Sequence, residues 1–223
     1  MGQCVWCGRK GIFVSVDRDN LCRNCQPAIY LDIQQRNRII EESQELVEKS
    51  ENFKTRIHRI DVISEHVQAL KEYEKKNIST ITPLPSECEK YYINLKNELI
   101  YENITSEIEK IMNKAKIALS AKTKMTEANK AVLKIIERKK ELQDEDKINN
   151  LNKSEKEIKN FMHETQLNEF LEEAKKAEFK GQKSKALDKY QEALYFLQTD
   201  EVDDSLQKEK IDGIKSKISE LSK

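Results

Sequence analysis

Four of the five cysteines form two closely spaced pairs near the N-terminus, and their spacing predicts a metal site. Each pair has two residues between its cysteines, and fourteen residues separate the pairs, which consist of Cys4, Cys7, Cys22 and Cys25. Two such pairs joined by a loop of about this length are typical of zinc sites. Four thiolates complete the tetrahedral shell that zinc prefers and leave no position for a substrate. We therefore predict that these residues bind a structural zinc ion.

Two other uses of paired cysteines fit the rest of the chain less well. Disulfides form in oxidising compartments, whereas the N-terminus lacks the apolar stretch of a signal peptide. A thioredoxin-like redox centre needs an exposed pair at a helix start within a βαβ unit, and the composition does not indicate such a unit. The fifth cysteine, Cys88, is interpreted as a small apolar residue because the sequence offers it no partner.

The segment between the two cysteine pairs contains strand and turn signals. Residues 12–16 predict a short strand, residues 17–20 a turn and Leu21 the returning strand. Cys25 then leads directly into a helical segment. This order resembles a treble-clef or zinc-ribbon finger, and the resemblance covers residues 3 to about 40. The resemblance implies a bound metal, whereas fingers of this kind serve as nucleic-acid grips, protein-docking surfaces or folding nuclei.

The same segment carries a small excess of positive charge, which makes nucleic acid a candidate partner. Against two carboxylates, Asp17 and Asp19, stand four cations, namely Arg9, Lys10, Arg18 and Arg23. Trp6 and Phe13 offer aromatic rings on which bases could stack. Because the rest of the chain has more acidic than basic residues, phosphate binding would depend on those four side chains and would weaken sharply with salt.

Composition predicts a helical body behind the finger. Of the 223 residues, 36% are charged and only 37% are hydrophobic, which favours an elongated assembly of amphipathic helices. The 40 basic and 40 acidic residues balance, so no global field attracts nucleic acid or an anionic membrane. No apolar run approaches the ~18 residues of a membrane helix. We therefore predict a cytoplasmic protein without a membrane partner.

Glycine and proline are absent from long stretches, as expected for long helices. Neither residue occurs from 28 to 82 or from 86 to 180. Apolar residues that recur at intervals of three, four and seven predict two helices, over about 27–50 and 54–76. We expect these two helices to pair antiparallel.

The breaks in this pattern divide the chain into three parts. Pro27 opens the helical segment behind the finger, and Pro83 and Pro85 mark the next break. After that break, Ser86 with Glu89 predicts a capping box at the start of the next helix. The predicted parts are a finger over 1–26, a helical hairpin over 27–82, and long helices over 86–223 that end in a helix pair and a capping helix.

Small and apolar residues in the C-terminal third have the spacing of two closely packed helices. They are Ala174, Ala177, Gly181, Ala186, Tyr190, Ala193 and Leu194. The pattern resembles a tetratricopeptide repeat over about 165–200, although that family's first-helix Trp and terminal Pro are missing. The resemblance implies a turn at Gly181 and a surface that binds a peptide. A last apolar stripe, formed by Ile211, Ile214, Ile218 and Leu221, predicts the capping helix.

The remaining features predict binding without catalysis. None of the three histidines has a known metal-binding spacing, and the chain has no glycine-rich phosphate loop. Tyr190 falls on the inward stripe of its helix, whereas Tyr195 falls off that stripe and could contact a partner. We therefore predict a non-catalytic zinc-finger and helical scaffold that acts as a protein–protein interaction adaptor. The alternative is a nucleic-acid-binding zinc-finger protein.

Overall fold

The computed structural model describes residues 2–200 and 204–222, which are mainly helical. Helices account for 78% of the structure, and a two-stranded antiparallel sheet lies near the cysteines. The helices α1 to α7 within the described residues span Gln26–Lys49, Phe53–Glu74, Pro85–Ile117, Ala121–Arg138, Glu145–Phe179, Lys183–Thr199 and Asp204–Leu221. This confirms the predicted fold class. The chain divides into two compact units, residues 1–103 and 104–223, and the predicted three-part division stays a prediction.

In the first unit, α1 and α2 form the antiparallel hairpin that the sequence predicts. The Tyr73 hydroxyl, late in α2, donates to Asp32 near the start of α1 at 2.7 Å. At the other end, the Arg56 guanidinium donates to the carbonyl of Val47 at 3.1 Å. Asn52 caps α2 by accepting the backbone N–H of residue 55, because an N-cap side chain satisfies one of the free amides of a first helical turn.

The apolar stripes of these helices face one core, which also contains part of the finger. The α2 residues Ile60, Ile63, Val67 and Leu70 are fully buried. Leu21 and the metal-ligand candidates Cys4 and Cys22 belong to the same cluster of buried side chains. Because about 25 residues bury too little apolar surface to fold alone, the finger depends on this shared core as well as on its cysteines.

The start of α3 differs from the predicted capping box. Ser86 does not cap the helix with Glu89; its hydroxyl donates to Glu74 at 2.6 Å. Glu89 instead pairs with Lys71. The first turn is stabilised by Glu87, which accepts the backbone N–H of residue 84 at 3.1 Å. Both predicted capping side chains are thus used for contacts with α2, which sequence spacing does not reveal.

The β-structure of the finger also lies elsewhere than predicted. Strands β1 and β2 are Gly2–Gln3 and Lys10–Gly11, which pair antiparallel on either side of the first cysteine pair. Residues 12–16 do not form a strand, because the N–H of Val14 turns back to the carbonyl of Gly11 at 3.3 Å. Val16 alone forms a bridge, to Cys22. The predicted turn over residues 17–20 is present, with the N–H of Asp17 donating to the carbonyl of Leu21 at 3.0 Å.

In the second unit, consecutive helices pack against each other. Helix α4 packs on α5, α5 on α6 and α6 on α7. Gly181 has a φ of 71° in the turn between α5 and α6, a left-handed conformation that glycine adopts without steric cost. The predicted turn residue is therefore confirmed. Helix α5 has 35 residues and α6 only 17, so the pair is less symmetric than a tetratricopeptide repeat would be.

Candidate metal centre

The four paired cysteines come together at the N-terminal end of the first unit. Their Sγ atoms all lie within 4.8 Å of one another, and the Sγ atoms of Cys7 and Cys22 are 3.8 Å apart. Sulfur atoms arranged tetrahedrally at the usual zinc–sulfur distance of about 2.3 Å would be separated by about 3.8 Å. All five cysteines of the chain are free thiols, so the four do not form disulfides. Their number, chemistry and spacing fit one tetrahedral metal ion.

Backbone hydrogen bonds set the direction of each thiol pair. In the first pair, the N–H of Cys4 donates to the carbonyl of Arg9 at 2.9 Å, and the N–H of Gly8 returns to the carbonyl of Cys4 at 3.0 Å. Gly8 makes this tight turn with a φ of 71°. In the second pair, the N–H of Cys25 donates to the carbonyl of Cys22 at 2.9 Å, immediately before α1 begins. Both pairs thus form short loops that fold each chain segment around its sulfur atoms.

The backbone also favours the thiolate form that binds metals. Burial raises the pKa of the Cys4 thiol, but backbone N–H groups, including those of Cys7 and Cys22, donate to the sulfur and lower the pKa to about 6. The N–H of Cys25 similarly lowers the pKa of Cys22. Burial, followed by hydrogen bonds to the other thiols, raises the pKa of Cys25 to about 12. The pKa values diverge because backbone N–H groups stabilise the thiolates of Cys4 and Cys22, whereas burial and hydrogen bonds to the other thiols favour the neutral form of Cys25.

A buried carboxylate ties the finger to the helical hairpin. Asp19 is 4% exposed, and its Oδ1 accepts the hydroxyl of Ser79 at 2.7 Å and the Ser79 N–H at 3.2 Å. The Tyr30 hydroxyl, on α1, lies within hydrogen-bonding distance of both Asp17 and Asp19. Asp17 also accepts the N–H of Leu21 at 2.8 Å. Both carboxylates of the finger are therefore used in internal contacts.

Trp6, predicted as a nucleic-acid contact, packs on the end of α2. Its ring centroid lies 5.2 Å from that of Tyr73, with the planes tilted by 34°. The ammonium of Lys76 lies 5.6 Å from the Trp6 ring centroid, a cation–π contact. The indole remains 41% exposed, but part of its surface is engaged within the protein.

The four predicted cationic contacts all lie on the surface of the finger. Arg9, Lys10 and Arg23 are exposed, and none of them forms an ion pair within residues 2–200 and 204–222. Arg18 approaches Asp19 at 3.8 Å, yet its side chain is 83% exposed. Arg9 and Arg23 line an open cavity of about 240 Å³ together with Phe13, which is 96% exposed. The sequence indicates the charges but not this arrangement.

The structure separates the two tyrosines of α6 as expected. Tyr190 is buried, and its hydroxyl donates to Glu178 at 3.0 Å. Tyr195 is 70% exposed. The second unit also exposes Phe179, at the end of α5, to 93%. Tyr195 is thus accessible to a partner, as the helical periodicity predicts.

Sequence reasoning missed the residues that hold the finger in place. Ser79 and Tyr30 are separated from Asp19 by 60 and 11 positions, respectively. A serine in a connecting loop and a tyrosine in a helix carry no local pattern that would indicate this contact. The sequence indicates Asp17 and Asp19 only as residues of a turn and as the two negative charges of the finger.

The fold and the site together define a mainly α protein with an N-terminal four-cysteine cluster. No protein-family model, no curated protein and no solved structure matches the chain. Within the described residues, no helix combines the length and apolar character needed to cross a membrane.

Proposed function

We propose that the four cysteines hold a structural zinc ion and that the protein is a non-catalytic adaptor for protein–protein interactions. Zinc is the metal most consistent with four thiolate donors at tetrahedral spacing. Cys4, Cys7, Cys22 and Cys25 would fill all four coordination positions. A complete shell of this kind stabilises a fold and leaves no position at which a substrate could be activated.

The exposure of Tyr195 carries the adaptor proposal. The other two aromatic side chains of α6 pack within the protein: Tyr190 is buried, and Phe196 stacks on His163 with ring centroids 4.8 Å apart. Tyr195 contributes little to this core because 70% of it faces solvent. Tyrosine is enriched at the energetically important positions of protein interfaces, so an exposed tyrosine on a well-packed helix supports a docking role.

Site-specific crosslinking in the full-length protein tests this proposal. A photoreactive phenylalanine derivative is placed at position 195 and, as a matched control, at position 179, where Phe179 is 93% exposed at the end of α5. We expect a discrete protein adduct from position 195 and a much weaker one from position 179. The purified partner should then bind the wild-type protein and bind the Tyr195→Ala variant at least about fivefold more weakly.

The melting temperature distinguishes a docking role from a packing role. Tyr195→Ala should leave it unchanged because the side chain is exposed. A lowered melting temperature with unchanged partner binding would assign Tyr195 to the fold and refute the proposed surface.

A second candidate function, nucleic-acid binding by the finger, is supported by the separation of its charges. Asp17 and Asp19 are occupied by backbone and side-chain donors, whereas Arg9, Lys10 and Arg23 face solvent. The outward face is therefore more positive than the composition of the finger suggests. Binding of the full-length protein to DNA and RNA oligonucleotides over a series of salt concentrations tests this function, because phosphate contacts weaken with salt.

A further inference from the structure

We infer that the cavity beside Phe13 binds one unstacked base of a single-stranded nucleic acid, with Arg9 and Arg23 contacting the flanking phosphates. This inference rests on the second candidate function and names its ligand and its site. The cavity is lined by residues 13–15 and 22–24 together with Arg9. It lies on the face of the finger where the cations are exposed.

Phe13 is an aromatic side chain that the fold leaves almost entirely in solvent. The turn after β2 places the Phe13 side chain in solvent, where 96% of it is accessible, and its neighbour Ile12 is 77% exposed. Exposing a phenylalanine forgoes the hydrophobic stabilisation that its burial would contribute. The ring also stands beside a cavity, so one aromatic face is available to a flat ligand. Base–aromatic stacking uses such a face and tolerates any base.

The charged side chains that line the cavity are positive. Arg9 and Arg23 line it, and Lys10 precedes the turn that carries Phe13. The two carboxylates of the finger contact Ser79 and Tyr30 and do not line the cavity. An anion that approaches Phe13 thus meets cations without a competing carboxylate from the finger. Phosphates on both sides of a stacked base would match this arrangement.

The size and the lining of the cavity favour a single strand over a nucleic-acid duplex and over a membrane. Its volume of about 240 Å³ is below the range of roughly 300–1,000 Å³ for drug-sized ligands, so it suits one planar group. Bases in a duplex are stacked on each other and cannot reach an aromatic wall. A membrane-inserting loop presents apolar side chains at a convex tip, whereas Phe13 lines a cavity that Arg9 and Arg23 also line.

Fluorescence anisotropy with the zinc-loaded full-length protein tests the inference. The probes are labelled oligo(dT) and oligo(U) of about ten nucleotides, within the usual site size of a single-strand binder, and a duplex of the same length. We expect both single strands to bind and the duplex to bind more weakly. If the nearby exposed Lys10 also contacts a phosphate, three cations take part with Arg9 and Arg23, and the logarithm of the association constant should fall with the logarithm of salt concentration with a slope of about −2.

Matched variants separate stacking from charge. Phe13→Ser should weaken single-strand binding about tenfold, in line with the loss of one stacked base, and should leave the salt slope unchanged. Phe179→Ser removes an aromatic ring that is equally exposed, at 93%, and should have no effect. Arg9→Gln combined with Arg23→Gln should weaken binding and make the salt dependence shallower, with a slope of about −0.7 for the one contact that remains. Metal content, measured for each variant, should stay at the wild-type value because none of these side chains is a ligand.

The other possible results distinguish failure of the base site from failure of nucleic-acid binding as a whole. If the arginine variant weakens binding but Phe13→Ser does not, the base site is wrong and the second candidate function stands. If no oligonucleotide binds at low salt, both are wrong. If the duplex binds as tightly as the single strand, base stacking is refuted. If vesicles of phosphatidylserine and phosphatidylcholine, or a polyglutamate peptide, bind in a Phe13-dependent manner while oligonucleotides do not, the cavity belongs to that partner instead.

Discussion

Replacing Cys22 by alanine should release the metal and disorder the finger while leaving the helices folded. The four-thiol site of a structural zinc domain contributes about 10–16 kcal/mol of apparent binding free energy. If each ligand contributes about a quarter of this, losing one costs about 2.5–4 kcal/mol, or roughly a hundredfold to a thousandfold in metal affinity. Competition with a chromophoric chelator at neutral pH measures this change directly.

The effect on the helices follows from where the finger ends. Every helix of the described residues begins at Gln26 or later, so unfolding the finger removes no helix beyond fraying of the first turn of α1. The circular dichroism signal at 222 nm should therefore fall by only a few per cent. Leu21 is fully buried in the core that the finger shares with α1 and α2. It would become exposed, and its loss from this core should lower the free energy of unfolding by about 1.5–3 kcal/mol.

Cys88 provides the matched control. It is 5% exposed and belongs to the same core, but its thiol contacts the carbonyl of Pro83 and is not part of the four-thiol cluster. Cys88→Ala should keep one metal per chain and cost about 1 kcal/mol through the loss of one buried atom. A Cys22→Ala protein that competes with the chelator as well as the wild type, or that loses more than about a tenth of its helix signal, would refute this reasoning.

Three further predictions concern backbone strain and the contact between the finger and the hairpin. Gly181→Ala should destabilise the second unit by about 1 kcal/mol, because a Cβ there meets no neighbour and only the left-handed φ is penalised. Gly213→Ala is the control: Gly213 lies in α7 with open space around it, so alanine should stabilise the second unit by about 0.5–1 kcal/mol. Ser79→Ala removes a donor to the buried Asp19 and should cost about 1–3 kcal/mol in urea unfolding; an effect below ~0.3 kcal/mol would contradict the proposed anchor. Burial raises the pKa of Asp19, but hydrogen bonds from Tyr30 and Ser79 outweigh it and hold the pKa below its usual value. The ionised carboxylate therefore contributes to folding stability above the unfolded-state pKa of about 4, and this contribution is lost as pH falls through the lower pKa of the folded state. The stability difference between the wild type and Asp19→Asn should accordingly shrink below about pH 4, and a difference that does not change with pH would argue against an ionised Asp19.

The sequence was sufficient for features whose physical cause is local. The clustering of the four cysteines depends on two short loops, and the two pairs that end at Cys7 and Cys25 provide their spacing within 22 residues. Helical periodicity placed α1 and α2 within two residues of their observed ends. Gly181 was identifiable because few other residues adopt a left-handed turn, and Tyr195 because it falls outside the apolar stripe of its helix.

Only the tertiary structure decided how the finger is held and which of its surfaces are accessible. Ser86 matched a capping pattern, yet a carboxylate of α2 accepts its hydroxyl. Residues 12–16 have strand propensity, but the chain turns at Gly11 and exposes Phe13 instead of pairing it. In the sequence, Asp19 is one carboxylate of a turn, whereas the structure buries it against Ser79, which is distant in sequence. Such contacts depend on which parts of the chain are brought together by folding. Serine, tyrosine and aspartate form hydrogen bonds with many partners, so their presence in the sequence does not identify the partner.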